Sequence, residues 1–269
     1  MSVKHVSRET SRVIAVVNQK GGVGKSTTTV NLGACLAVLG KRVLVIDLDP
    51  QGNTSTGLGI DKRKVAKDIY DVLLHRAAAN EVVYPTEIPS LKVIPATLNL
   101  AGAEIELVSA LSREARLKSA LVALAPEYDY VFIDCPPSLG LLTINAMTAA
   151  DWVIIPVQAE YYALEGLAQL TTVLGRVREA LNPGLQIMGV LVTMVDARTN
   201  LAVDVIEEVS RFFPSQVFRT RIPRNVRLSE APSFGKPAIL FDAKSRGAQA
   251  YLALAKEVAG EAELQEMRL

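Results

Sequence analysis

Eight consecutive residues, Lys20-Gly21-Gly22-Val23-Gly24-Lys25-Ser26-Thr27, carry the chemistry that the rest of the chain must position. They follow an apolar run, Val13-Ile14-Ala15-Val16-Val17, that reads as a buried strand. They lead into Thr28-Thr29-Val30-Asn31-Leu32-Gly33-Ala34-Cys35-Leu36-Ala37, which reads as a helix. A glycine-rich turn between a strand and a helix points several backbone N–H groups at one spot. The helix N-terminus adds its positive dipole end, so the spot binds phosphate. Lys25 is expected to reach the β- and γ-phosphates, and the Ser26 hydroxyl to ligate Mg²⁺.

Lys20 sets this loop apart. The ordinary phosphate loop has glycine five residues before Gly24, and that position is Gln19 here. One phosphate site needs one loop lysine. A second lysine at the lip of the loop points to a cation offered to another subunit's nucleotide, as an arginine finger is.

Two further apolar runs end in carboxylates. Arg42 to Asp47 continues into Leu48-Asp49-Pro50-Gln51-Gly52-Asn53, and Tyr130-Val131-Phe132-Ile133 ends in Asp134. Asp47 and Asp49 are two apart, so on an extended chain they point the same way. Carboxylates at strand ends beside a phosphate loop hold the waters of Mg²⁺ or the attacking water. The stretch 49–56, rich in Gly, Asn, Ser and Thr, and the Pro136-Pro137-Ser138-Leu139-Gly140 loop both read as segments that rearrange around a γ-phosphate.

The whole chain bounds the setting. It has 269 residues, 49% of them hydrophobic, and a net charge of +1, enough for one large core and without bulk charge that demands a polyanion. Cys35 and Cys135 lie in apolar surroundings without metal-ligand spacing, which fits a reduced compartment. Residues 1–12 are polar and lack a signal-peptide core, and no run is long enough to span a bilayer. The cytoplasm is the expectation. Strands are predicted at 13–18, 42–47, 91–95, 130–134, 152–157, 186–194 and, briefly, 217–218. Helices are predicted at 26–39, 113–124, 141–149, 164–181, 201–213 and 245–259. Their alternation implies an α/β fold, a mostly parallel twisted sheet with helices on both faces and ligands at the carboxyl ends of the strands. One domain is expected over 13–259, with a short extension at 1–12 and a polar tail at 260–269.

With these motifs in view, the chain resembles the ParA family of deviant-Walker ATPases, in particular its chromosomal Soj-type members. The resemblance rests on 18–25, 47–53, Ile133-Asp134-Cys135-Pro136-Pro137-Ser138, Gln158-Ala159-Glu160-Tyr161-Tyr162-Ala163-Leu164-Glu165-Gly166 and 222–233, and runs from about residue 13 to about 258. It implies a P-loop NTPase that binds ATP and Mg²⁺ and forms a homodimer with two nucleotides at the interface. By the resemblance, the loop from Lys20 through Thr27 holds the phosphates and Lys20 crosses to the partner's nucleotide. Gly21 lies at the contact. Asp49 orients the hydrolytic water, Asp47 and Asp134 support the metal through water, and Pro223 and Asn225 lie against the adenine.

Family members of this type bind double-stranded DNA without sequence preference when dimeric. Arg219, Arg221, Arg224 and Arg227 fall within nine residues, and Arg198 lies in a polar turn. Arg198 and Arg227 match the family's DNA-contacting arginines. Counterion release scales with the phosphates neutralised, so joining two modest patches strengthens binding. The resemblance further implies slow ATP hydrolysis stimulated by a ParB-type centromere-binding protein, nucleoid association, chromosome or plasmid segregation, and for chromosomal members a link to DnaA.

The rival is a MinD-type, membrane-associated ATPase. That function needs a basic amphipathic C-terminal helix. Residues 256–269 carry four acids and two bases, which an anionic bilayer repels. An iron–sulfur role fails for want of a second suitably placed cysteine. A clamp without turnover is disfavoured by the presence of Lys20, Lys25 and Asp49 together.

Overall fold

The computed structural model describes residues 11–160, 163–196 and 200–260. Arg198, one of the two arginines favoured for DNA contact, lies outside the described residues. Among the described residues, seven strands form one sheet: β1 (Arg12–Val16), β2 (Val43–Asp47), β3 (Tyr84–Pro85), β4 (Leu91–Ile94), β5 (Tyr130–Asp134), β6 (Trp152–Gln158) and β7 (Gln186–Thr193), in the order β3-β4-β2-β5-β1-β6-β7. Every pairing is parallel except β3 with β4.

The helices are α1 (Lys25–Val38), α2 (Asn53–Gly57), α3 (Ile69–Leu73), α4 (Leu100–Leu107), α5 (Arg116–Leu121), α6 (Leu141–Ala149), α7 (Ala163–Ala180), α8 (Asn200–Phe212), α9 (Val226–Glu230), α10 (Ala238–Phe241) and α11 (Arg246–Ala259). Alternation along β1 shows how the two layers arise. Val13, Ala15 and Val17 pack into one core with Leu100, Leu117, Leu142, Leu170 and Val209. Ile14 and Val16 pack into the other with Leu32, Tyr251 and Leu254. Side chains of a strand point to opposite faces in turn, so a strand apolar at every position is covered on both sides.

Three sequence expectations needed correction. The helix predicted over 113–124 splits into a 3₁₀ turn, Arg113–Ala115, and α5. Asn145 on α6 accounts for the break: its side chain accepts from the N–H of Leu117 (3.2 Å) and donates to the carbonyl of Arg113 (2.8 Å). These bonds from a neighbouring helix replace those an unbroken helix would make. The strand predicted at 217–218 is a single parallel bridge between Val190 and Val217. The Phe218 N–H reaches the Val190 carbonyl, but the next two N–H groups, of Arg219 and Thr220, turn to the Glu257 carboxylate instead of the sheet edge, which the chain meets again at Ile222 and Pro223. The two-residue edge strand β3 and the short helices α2, α3, α4, α9 and α10 were missed, because a run of two to eight residues barely expresses a period.

Candidate nucleotide site

At the end of β1 the chain turns on Asn18, whose side-chain oxygen accepts the Lys20 N–H (2.9 Å) and whose amide donates to the Pro156 carbonyl (2.8 Å). Gly22 and Gly24 then take left-handed φ values of 76° and 91°, a region that costs glycine little. Gly24 caps α1 without a side-chain hydrogen bond, so no side chain of the loop occupies the first N–H groups of the helix. The helix lies close to the sheet because Gly33 has no side chain: a Cβ there would stand 3.2 Å from Val45 Cγ2.

The loop separates two cavities. The larger, about 850 Å³, is lined by Gly21, Gly22, Gly24, Lys25, Ser26 and Thr27, with Asp49, Gln51, Pro223, Arg224, Asn225 and Tyr251 further round. Residues predicted separately to hold phosphate and adenine thus share one cavity. The smaller, about 550 Å³, is lined by Lys20 and Val23 with Pro137, Ser138, Gln158 and Gly166. Lys25 and Lys20 therefore face different spaces. Lys25 Nζ donates to the Lys20 carbonyl at 3.1 Å, and Lys20 Nζ pairs with Glu160 Oε2 at 3.1 Å.

The three aspartates also part company. Asp49 lines the cavity, while Asp47 and Asp134, paired across β2 and β5, are fully buried behind it. Asp47 accepts from the Ser55 hydroxyl (2.7 Å), the Ser55 N–H (2.8 Å) and the Asp49 N–H (3.1 Å). Asp134 accepts from the Thr54 hydroxyl at 2.7 Å and the Thr29 hydroxyl at 3.4 Å. Burial, with the Asp134 charge adding to it, pushes Asp47 up to about 7. Burial likewise pushes Asp134 up to about 6, opposed by hydrogen bonds from Thr54 and Ser26. Burial lowers the Lys25 ammonium, with Asp134 the first of the charges opposing it.

Thr54, Ser55, Thr29 and Glu160 were not singled out by sequence reasoning. Thr54 and Ser55 sit in the polar stretch noted beside Asp49, but nothing local shows which carboxylate each serves.

The arginines Arg219, Arg221, Arg224 and Arg227 are all exposed along the segment that returns beside β7. The backbone N–H groups of Arg219 and Thr220 bond the Glu257 carboxylate at 2.8 and 3.0 Å. Arg227 is paired with Glu230 at 2.8 Å and with Asp242 at 3.4 Å. No described helix is long and apolar enough to cross a membrane.

The model of a family described as AAA domain matches residues 11–187. Over 248 residues the chain is 62% identical to the sporulation initiation inhibitor protein Soj of Bacillus subtilis, covering 92% of this chain and 98% of that one. The chain belongs to the ParA/Soj family of P-loop ATPases. Another family relative, the chromosome partitioning protein ParA of Myxococcus xanthus, is 56% identical over 247 residues, with 92% and 87% of the two chains covered. Among solved structures, a cobyrinic acid a,c-diamide synthase from Mycobacterium smegmatis with bound ADP and magnesium superposes with a TM-score of 0.81 at 39% identity, covering 91% of this chain and 93% of the other. The expected α/β P-loop fold and the family resemblance are borne out.

Proposed function

We propose that this protein is a chromosome-partitioning ATPase that binds ATP with Mg²⁺, dimerises around two nucleotides, and in that form holds DNA without sequence preference. The observation that carries the reading is the 850 Å³ cavity joining Lys25, Ser26 and Asp49 to Pro223 and Asn225, in a chain 62% identical to Soj.

The donor set fits magnesium. Among the described residues, no three of His, Cys, Asp and Glu stand close enough to hold a metal alone. Mg²⁺ does not require such a cage, since it keeps several waters and uses hard oxygens together with substrate phosphates. Ser26 would ligate it directly, with Asp47, Asp49 and Asp134 acting through water. The bound ion would neutralise charge on the phosphates during transfer.

The chain's own residues divide the work. The loop N–H groups and Lys25 bind and orient the phosphates. Asp49, at the cavity wall, orients the attacking water and accepts its proton. Asp47 and Asp134 hold the polar segment of Thr54 and Ser55 in place. Pro223 and Asn225 flank the base. Lys20 reaches the phosphates of a second copy, and Gly21 permits the close approach.

Dimerisation joins two copies of the exposed arginine segment, and affinity for a polyanion rises with the number of phosphates neutralised. Arg198 and Arg227 are the first contacts to test, then Arg219, Arg221 and Arg224. A ParB-type protein bound at centromere-like sites would stimulate hydrolysis, release the DNA and so drive segregation.

The test is binding to an arbitrary duplex with ATP, with ADP and without nucleotide, over a range of salt. Binding with ATP alone that falls steeply with salt supports the reading. Equal binding in all three states overturns the nucleotide switch, and no binding in any state overturns the DNA assignment.

A further inference from the structure

Glu160 belongs to a segment, 158–166, whose described residues contribute nothing to the nucleotide cavity lining. It stands two residues beyond the start of that segment, where β6 ends at Gln158. The Glu160 N–H donates to the Gln158 carbonyl at 2.8 Å, and the Ala159 N–H donates to the Thr193 carbonyl at 3.2 Å. The Gln158 side-chain amide donates to Glu160 Oε1. The carboxylate is thus fixed by its own turn and by a neighbouring side chain, with Oε2 left to receive Lys20 Nζ at 3.1 Å.

The lysine is held from its own side too. Asn18 takes its N–H and Lys25 Nζ bonds its carbonyl, so both loop lysines meet at one peptide. The ammonium lies along its own subunit. Both partners keep water access, with 41% and 47% of their side chains exposed, so the pair is weak enough to be exchanged for a stronger anion. A polyphosphate is such an anion, since it offers several charged oxygens where Glu160 offers one.

We propose that Glu160 is a positioning residue that parks Lys20 on its own subunit, so that the lysine reaches a second copy's phosphates only by leaving this carboxylate. The inference rests on the reading that Lys20 acts in trans. Parking raises the concentration at which the ATP dimer forms. It also sharpens the choice between nucleotides, because the triphosphate outcompetes the carboxylate better than the diphosphate does.

The experiment measures the monomer–dimer equilibrium of the full chain by sedimentation with a non-hydrolysable ATP analogue and, separately, with ADP. The variants are Glu160→Gln, Glu160→Asp, Lys20→Ala and the double variant Lys20→Ala/Glu160→Gln. Glu160→Gln should tighten the dimer about two- to fivefold, the range that an exposed ion pair spans. Glu160→Asp, which keeps the carboxylate, should stay closer to the parent. In the Lys20→Ala background the Glu160→Gln effect should vanish, as a contact-specific coupling requires.

An unchanged or weakened dimer in Glu160→Gln overturns the proposal, as does the same shift persisting without Lys20. If Lys20→Ala alone dimerises like the parent, the trans role of Lys20 has failed, and parking fails with it. Affinity for the analogue at the Lys25 site, measured on the monomer, separates a folding defect from all of these.

Discussion

The Thr54 hydroxyl donates to Asp134 Oδ2 at 2.7 Å, joining the polar segment after β2 to the carboxylate that ends β5. The neighbouring Ser55 does the same for Asp47. Two consecutive residues of α2 thus satisfy the two buried acids of adjacent strands. Any movement of this segment changes the hydrogen bonding of both carboxylates at once.

Thr54→Val keeps the shape and removes the donor. A buried ionisable group that loses one partner costs about 1–3 kcal/mol. Urea unfolding should show a loss in that range. A change within a few tenths of a kcal/mol would mean that Thr29 and Ser26 suffice for Asp134.

The raised acids carry a pH signature. Asp47 and Asp134, held at about 7 and about 6, bind protons more readily folded than unfolded. Their stabilising contribution is present below the ordinary aspartate range and is lost as pH rises through about 6 to 7. Asp47→Asn removes one of the two charges. In metal-free protein, its stability relative to the parent should rise by on the order of 1–3 kcal/mol between pH 4 and pH 7.5, on top of a constant offset from the Ser55 hydrogen bonds that the amide nitrogen cannot accept. A pH-independent difference between the two proteins would contradict the assignment.

Lys25 is the only lysine of the loop that lines the large cavity. Lys25→Ala should weaken ATP and ADP binding at least a hundredfold, about 3 kcal/mol, in calorimetric titration. Undiminished affinity would remove the phosphate-binding role from this loop.

Asp49→Ala takes away the cavity's carboxylate and leaves Asp47 and Asp134 in place. ATP binding should persist while turnover falls at least a hundredfold, the lower range for loss of a general base. The dimer, and with it DNA association, should outlast that of the parent. A monomer that hydrolyses ATP normally would place the attacking water elsewhere.

Arg227 is held by Glu230 and Asp242, so its charge is partly spent within the subunit. Arg227→Glu should weaken binding to all DNA sequences alike and reduce the salt slope by at least about one, with dimerisation unchanged. Glu230→Ala should free the arginine and tighten DNA binding. Loss confined to one DNA sequence after Arg227→Glu would show base reading instead.

The phosphate loop was legible because its parts are consecutive: strand end, left-handed glycines, lysine and helix start are all set by residues within a few positions of one another. The strands of the sheet interior were legible for a related reason. Burial on both faces writes an unbroken apolar run, as in β1, β2 and β5. Asp47, Asp49 and Asp134 could be placed at strand ends by the same signal. Which of them would face the cavity could not, since that depends on the pairing of β2 with β5 and on where the chain turns next. Only the tertiary structure brought Lys20 to Glu160, 140 positions away, and Thr54 to Asp134, 80 positions away. The strand order β2-β5-β1-β6 sets those meetings. Nothing in the local sequence encodes them, because a hydrogen bond between distant residues exists only once the sheet has set their distance.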